Sequence, residues 1–360
     1  MPSSTPLFDL LGIHLPIVQA PMAGVSSPAM AAAATMAGAL GSVSVGATDA
    51  DGARTMIAAV RERCDGPLNV NVFCHRPPIA NSDVESAWIE RWRPEFEAFG
   101  ATPPAQLTEI YRSFVADDAM LAMLLEERPS VASFHFGLPG EAAIRALRSA
   151  GIRLLATATS LPEARIIEGA GVDAIVAQGW EAGGHRGIFD PDGPDDRTTT
   201  ADLTRQLVSE IDLPVISAGG IMDGAGIAAA LDQGAIAAQL GTAFIACDES
   251  LADSGFRAAL ADAGPRDTTM TRAISGRPAR VISNRFSALG AGLDVHEIPL
   301  YPIAYHLGKA LHTSAQLRGE FGFGAHWMGE GASYSRPMST TRLIAVLSAE
   351  LCAACNSIPE

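Results

Sequence analysis

The feature that most constrains this chain is an alternation: eight short runs rich in Val, Ile, Leu and Ala, with Ala-rich helical stretches between them. The apolar runs occupy residues 17–20, 42–45, 69–73, 131–135, 154–157, 174–178, 215–217 and 237–240. Helical patterns fill 28–38, 50–63, 117–127, 140–150, 161–169, 201–211 and 224–233. Uniformly apolar strands separated by helices imply a parallel sheet covered on its outer face. Eight such units favour closure into a (β/α)8 barrel over an open doubly wound sheet. Four helix-to-strand junctions place Gly38, Gly151, Gly171 and Gly234 just before a strand, where a helix C-cap with positive φ is expected.

Two segments break the rhythm. Residues 75–107 carry Trp88, Trp92 and several prolines and read as a helix and loop inserted at the barrel mouth. Residues 248–335 follow the eighth strand and read as a helical cap or substrate domain. The expected division is therefore a barrel over 1–247, a cap over 248–335, and a C-terminal helical segment over 336–360 that packs back on the barrel.

Composition narrows the functional classes. Hydrophobic residues make up 48% of the 360, charged residues 18%, and the formal net charge is −15. That excludes disorder and argues against binding nucleic acid or anionic membranes through bulk charge. Any phosphate must be held locally, by backbone N–H groups or single cations. The five cysteines form an odd, sparse set, as expected of a reduced, cytoplasmic protein. Cys352 and Cys355 have C-x-x-C spacing without a second pair, so no metal site is expected there, only two buried thiols on a helix. No basic segment followed by an apolar core opens the chain, and the apolar stretch 29–47 is punctuated by glycine, so neither a signal peptide nor a membrane span is expected.

In a barrel of this kind the active site forms from the loops after the strands. After the first strand comes Pro21-Met22-Ala23, either a turn that lets a flat ligand approach or an ordinary tight turn. In the third, Asn71 faces the axis if Val70 and Val72 face the helices; it meets a ligand's polar edge or joins a structural network. The sixth strand ends at Gln178 and leads into Glu181-Ala182-Gly183-Gly184-His185-Arg186. Glycines there leave His185 at the mouth, where an imidazole can act as a base near neutral pH. Glu181 is expected to cap or brace this loop, with Arg186 pairing to it. Strands seven and eight end in Ser217-Ala218-Gly219-Gly220 and Gln239-Leu240-Gly241-Thr242, the two loops that commonly make a phosphate site in this barrel. The acidic run 190–196 lacks a closing glutamate for calcium and reads as a solvated loop.

The motifs "PIVQAPMAGVSSP", "AQGWEAGGHRG", "LPVISAGGI", "AAQLGTAFIACDES" and "GRPARVISNRF" together resemble the nitronate monooxygenase family (2-nitropropane dioxygenases), most closely its bacterial class I branch. The resemblance implies FMN without a metal. Asn71 and Gln178 would bond the flavin. Gly183, Gly184, Ser217, Gly219, Gly220, Gln239, Leu240, Gly241 and Thr242 would hold ribityl and phosphate, and Pro21, Met22 and Ala23 would line the ring. His185 matches the family's catalytic histidine. The segment "PLYPIAYHLGK" resembles a class I motif, so Tyr301, Tyr305 and Lys309 would line the substrate pocket, although i, i+4 spacing also fits a plain amphipathic helix. The activity implied is oxidation of an alkyl nitronate, of the propionate 3-nitronate kind, by O2 to a carbonyl compound and nitrite, a detoxification by a monomer or homodimer. The alternatives are NAD(P)H-dependent reduction of quinones or enoyl thioesters on the same FMN barrel, and a flavin-binding barrel without catalysis. Trp180 stands where a small residue is commoner in the family, and would narrow the site near His185.

Overall fold

A computed structural model describes residues 10–264 and 267–356; the outermost residues of the expected first and last segments lie outside that range. Eight parallel strands form the barrel: β1 (Ile17–Gln19), β2 (Gly41–Ser44), β3 (Leu68–Phe73), β4 (Val131–His135), β5 (Arg153–Ala158), β6 (Ala174–Gln178), β8 (Val215–Ala218) and β9 (Ala237–Leu240). Neighbours pair in chain order from β2 to β6, β6 pairs with β8 and β8 with β9, and β9 pairs back onto β1; β7 (Gly184–His185), in the loop after β6, lies outside the barrel. The ring closes where Val18 bridges Leu40 and Gln19 N–H donates to the Leu40 carbonyl.

The strands are almost wholly buried because both faces are covered. Val70, Val72, Ile175 and Ala177 face the helix layer. Leu155, Val176, Ile216 and Ala237 fill the interior, and Leu11 and Ile13 join them. Helix ends behave as the junction glycines require: Gly38, Gly151, Gly171 and Gly234 all have φ between 79° and 94°. The helix Thr340–Asn356 lays Leu343, Ile344, Leu347 and Leu351 against Met30, Ala34 and Ile227. Cys352 and Cys355 fall off that face and are exposed, which corrects the expected burial of both thiols.

The helix Ser82–Ala98 of the first insertion lies over residues from beyond the barrel. Its Trp88, Trp92 and Phe96 pack with Phe286, Leu307 and Leu311. After β9 the chain forms helices and two further strands, β10 (Thr268–Thr271) and β11 (Ala279–Ile282). These pair antiparallel, and β11 then pairs with the two-residue strand β7 (Gly184–His185) from the loop after β6. Among the described residues no helix is long and apolar enough to cross a membrane.

Candidate active site

A cavity of about 580 Å³ opens at the C-terminal ends of the barrel strands. That volume lies within the range of pockets for cofactors and small molecules. Pro21, Met22, Ala23, Asn71, Gln178, Gly183, Gly184, His185, Gly219, Gly220, Gln239, Gly241, Thr242, Tyr301, Tyr305 and Lys309 all line it.

His185 reaches the cavity on a tied loop. Ala279 is its cross-strand partner in β11, and Arg186 N–H donates to the Pro278 carbonyl. Two motifs nearly a hundred residues apart in sequence are thus one small sheet. The His185 carbonyl accepts from Gln178 Nε2 at 3.0 Å and from His135 Nε2 at 3.2 Å. His135 Nδ1 then accepts from the Thr157 hydroxyl at 3.0 Å, which fixes a neutral tautomer. The Gln178 amide oxygen accepts from Gly187 N–H at 2.7 Å. Gln178 therefore clamps the histidine loop, in addition to lining the cavity where the resemblance implies a flavin contact.

The His185 ring sits among Phe136, Tyr301, Tyr305 and Trp327, with centroid separations of 4.9–6.1 Å. Its Nε2 lies 2.9 Å from the hydroxyl of fully buried Ser275, in the turn between β10 and β11. Burial holds the imidazole well below the ordinary histidine range, and the nearby His135, Arg277 and His75 add to the effect. The imidazole is neutral at pH 7. Phe136 carries a left-handed φ of 74°, and the Arg277 guanidinium stacks 4.3 Å above its ring. Such strain in a non-glycine residue is typical of a functional site.

Arg186 is 1% exposed. Its Nε and Nη2 donate to the two Asp195 oxygens at 2.9 and 3.0 Å, and its Nη1 to the Gln178 and Gly179 carbonyls at 2.8 and 3.0 Å. Asp195, not Glu181, is its partner. The acidic loop is accordingly an anchor: Asp192 also pairs with Arg272. Glu181 instead accepts from the Thr200 N–H and hydroxyl at 2.8 and 2.7 Å, holding the start of helix Thr200–Glu210. Trp180 does not line the cavity. Its ring is surrounded by Arg186, Arg197 and Arg280 at 5.1–5.6 Å, so it does not narrow the space near His185.

Two expected contributors face away. Ser217 exchanges a 2.8 Å hydrogen bond with Thr204 on the covering helix, and Leu240 packs in the outer layer with Ile227 and Leu343. Gly183 is glycine for a different reason from the one expected: a Cβ there would lie 2.3 Å from Gly329 N, so the approach is by the chain itself. Thr242 Oγ1 accepts from that same Gly329 N–H at 2.9 Å and keeps its own proton to donate. Asn71 binds both Ser44 and Ser133, so its position carries the structural network and the cavity wall together.

Lys309 is the one Lys or Arg on the lining and Asp253 the one carboxylate, among the described residues. Lys309 Nζ donates to the Tyr111 hydroxyl and lies 5.5 Å from the Tyr305 ring centre. Tyr305 OH accepts from Trp327 Nε1 at 3.2 Å. The Tyr301 hydroxyl is buried without a partner, and burial, with Tyr111 and Tyr305 adding, keeps it protonated well above 10. Sequence alone did not point to Ser275, Tyr111, His135, Phe136 or Trp327.

The buried histidines make stability depend on pH. Burial lowers His135 to about 4 and His75 to about 3. Below pH ~6.5 the unfolded chain therefore binds protons that the native state refuses. Their contribution is complete above that pH and is lost as pH falls toward the folded values. The urea midpoint is expected to drop between pH 7 and pH 5 with little change in slope. A midpoint constant over that interval would contradict neutral burial of these rings.

The fold and the cavity define a (β/α)8-barrel enzyme with a small-molecule site at the mouth of its strands. Comparison with known proteins sharpens this. The family model for nitronate monooxygenase matches residues 4–350. A nitronate monooxygenase of Paraburkholderia phytofirmans is 59% identical over 345 residues, 96% of this chain and 94% of its own. One of Pseudomonas aeruginosa is 48% identical over 342 residues, 95% and 97% of the two chains. A crystal structure of nitroalkane oxidase from Streptomyces ansochromogenes superposes with a TM-score of 0.88 at 39% identity, covering 99% of this chain and 100% of that one. The chain belongs to the nitronate monooxygenase family and is an oxidoreductase.

Proposed function

We propose that this enzyme uses FMN and O2 to oxidise alkyl nitronates to a carbonyl compound and nitrite, with His185 as the catalytic residue. The observation that carries this reading is a neutral imidazole in an aromatic enclosure. A base whose pKa lies well below 6.5 removes a proton from a neutral nitroalkane poorly. It suits a substrate that arrives already deprotonated, and a nitronate is one.

The cavity fits FMN. The small, apolar Ala20-Pro21-Met22-Ala23 turn offers a surface for a flat ring. At Gly241 a side chain would project toward Ala20 and Met22, so glycine there keeps that surface open. The N–H groups of Gly219, Gly220 and Gly241 and the Thr242 hydroxyl supply phosphate donors from two adjacent loops, which suits a protein of net charge −15. When bound, FMN supplies the electron acceptor for the nitronate and the route to O2. The protein's part is position and charge. Lys309 would attract the anion, the unpartnered Tyr301 hydroxyl would donate to a nitronate oxygen, and His185 would hydrogen-bond the nitronate. Five free cysteines fit a cytoplasmic setting.

The test is aerobic assay of the purified protein with propionate 3-nitronate. Nitrite release, O2 uptake and FMN freed on denaturation are expected. Absence of nitrite, with rapid flavin bleaching by NADH, would favour the reductase reading instead. Lys309→Met is expected to raise KM for the anionic substrate about tenfold to a hundredfold, the range for a hydrogen bond to a charged group, with kcat less affected.

A further inference from the structure

A second chemistry-bearing cluster lines the same cavity and takes no part in the reaction above. Asp253 precedes helix Ser254–Ala261, His312 lies on helix Ile303–Gln316 three residues beyond Lys309, and His326 comes from the turn before Trp327. One potential ligand atom from each falls within 4.8 Å of the other two. His312 Nε2 is already 3.4 Å from Asp253 Oδ2.

The surroundings are those of a prepared site. Asp253 Oδ1 accepts from Phe256 N–H at 2.7 Å and Oδ2 from Gln316 Nε2 at 2.7 Å, so the carboxylate is oriented from two sides. Outer partners of this kind fix the ligands of metal centres. His326 is only 4% exposed, stacks on Phe256 at 4.8 Å and 16°, and its Nε2 is buried without a hydrogen-bond partner. A buried ring nitrogen left without a partner calls for an explanation. Two imidazoles and a carboxylate form the N2O set that suits zinc-class divalent ions and leaves a fourth position open. Tetrahedral bonds of about 2.0–2.1 Å put ligand atoms roughly 3.3 Å apart. Binding would draw the three ligand atoms, which lie within 4.8 Å of one another, to that spacing.

We propose that Asp253, His312 and His326 bind one divalent transition-metal ion of the zinc class, with its open coordination position facing the active-site cavity. The proposal does not depend on the nitronate reading, because its test reads binding and not turnover. The flavin-loaded, chelator-treated protein is titrated with Zn2+ by calorimetry. A Cys352→Ser/Cys355→Ser background removes two exposed thiols that could take zinc themselves. One equivalent is expected to bind. Affinity should fall at least tenfold in Asp253→Asn, which retains a capping side chain, and in His312→Gln. Cu2+ loaded into the parent background gives a second readout: electron paramagnetic resonance should show nitrogen couplings from two imidazoles. No saturable Zn2+ binding, binding unchanged by both substitutions, or copper without imidazole couplings would overturn the assignment.

Discussion

Replacing His185 with asparagine is expected to lower nitrite release from a nitronate about 10²–10³-fold, the usual range for removing one positioned hydrogen-bonding group from an anionic reacting centre, while FMN content stays the same. The separation is expected because the loop does not depend on the ring. Gln178 and His135 hold the His185 carbonyl, and Ala279 pairs with its backbone. The imidazole makes one hydrogen bond, to Ser275, and otherwise touches aromatic rings. Asparagine keeps the strand pairing and the backbone clamp but leaves the Ser275 hydroxyl without its imidazole partner. Flavin absorbance and the thermal midpoint measure the intact scaffold, and initial-rate nitrite assays measure the loss. Undiminished nitrite release would remove His185 from the catalytic role.

The barrel was legible because strand burial and junction glycines are local properties. The expected strands differ from the observed ones by a residue or two, where a single backbone hydrogen bond decides the end. Side-chain direction was legible wherever alternation was applied. Val70 and Val72 face out and Asn71 faces in. The same parity excludes Ser217 and Leu240: Ile216 and Ala218 occupy the interior of β8, and Ala237 and Gln239 that of β9. Glycine meanings were harder to read. Gly183 and Gly241 look alike in sequence, yet one makes room for residues 328–329 of the chain and the other faces the cavity. The least legible parts were long-range pairings. Nothing near Ser275, Trp327 or Asp195 announces that each will meet the histidine loop, because β11 and the acidic loop bring them there only in the folded chain. His135 and Phe136 stand at the end of β4, a strand end as open to inspection as the others, but without a glycine-rich signal.

The acidic loop leads to the second large expected effect. Replacing Arg186 with alanine is expected to destabilise the fold by about 3–5 kcal/mol, the range for breaking one side of a buried ion pair. That is a large share of a typical domain's stability. Four hydrogen bonds end on this guanidinium, and the side chain is almost wholly inaccessible. Its removal leaves the Gln178 and Gly179 carbonyls without this donor and a void beneath the loop that carries His185. Asp195 loses less, since it is partly exposed and also accepts from Arg197 N–H. Burial pushes its carboxyl up, but Arg186 and Arg197 together outweigh that and hold it below its usual range. The pair therefore stabilises the fold above the ordinary aspartate pKa and ceases to do so as acid protonates Asp195. Asp195→Asn should accordingly cost less than Arg186→Ala, and the double substitution less than the sum of the two, because they interrupt one network. Urea unfolding of the three variants measures these differences. Additive losses, or a loss under 1 kcal/mol in Arg186→Ala, would show that the loop is held by β11 pairing alone. If the network is what holds it, kcat/KM in Arg186→Ala falls as well, because Gln178 supports the His185 backbone on one side and Arg186 on the other.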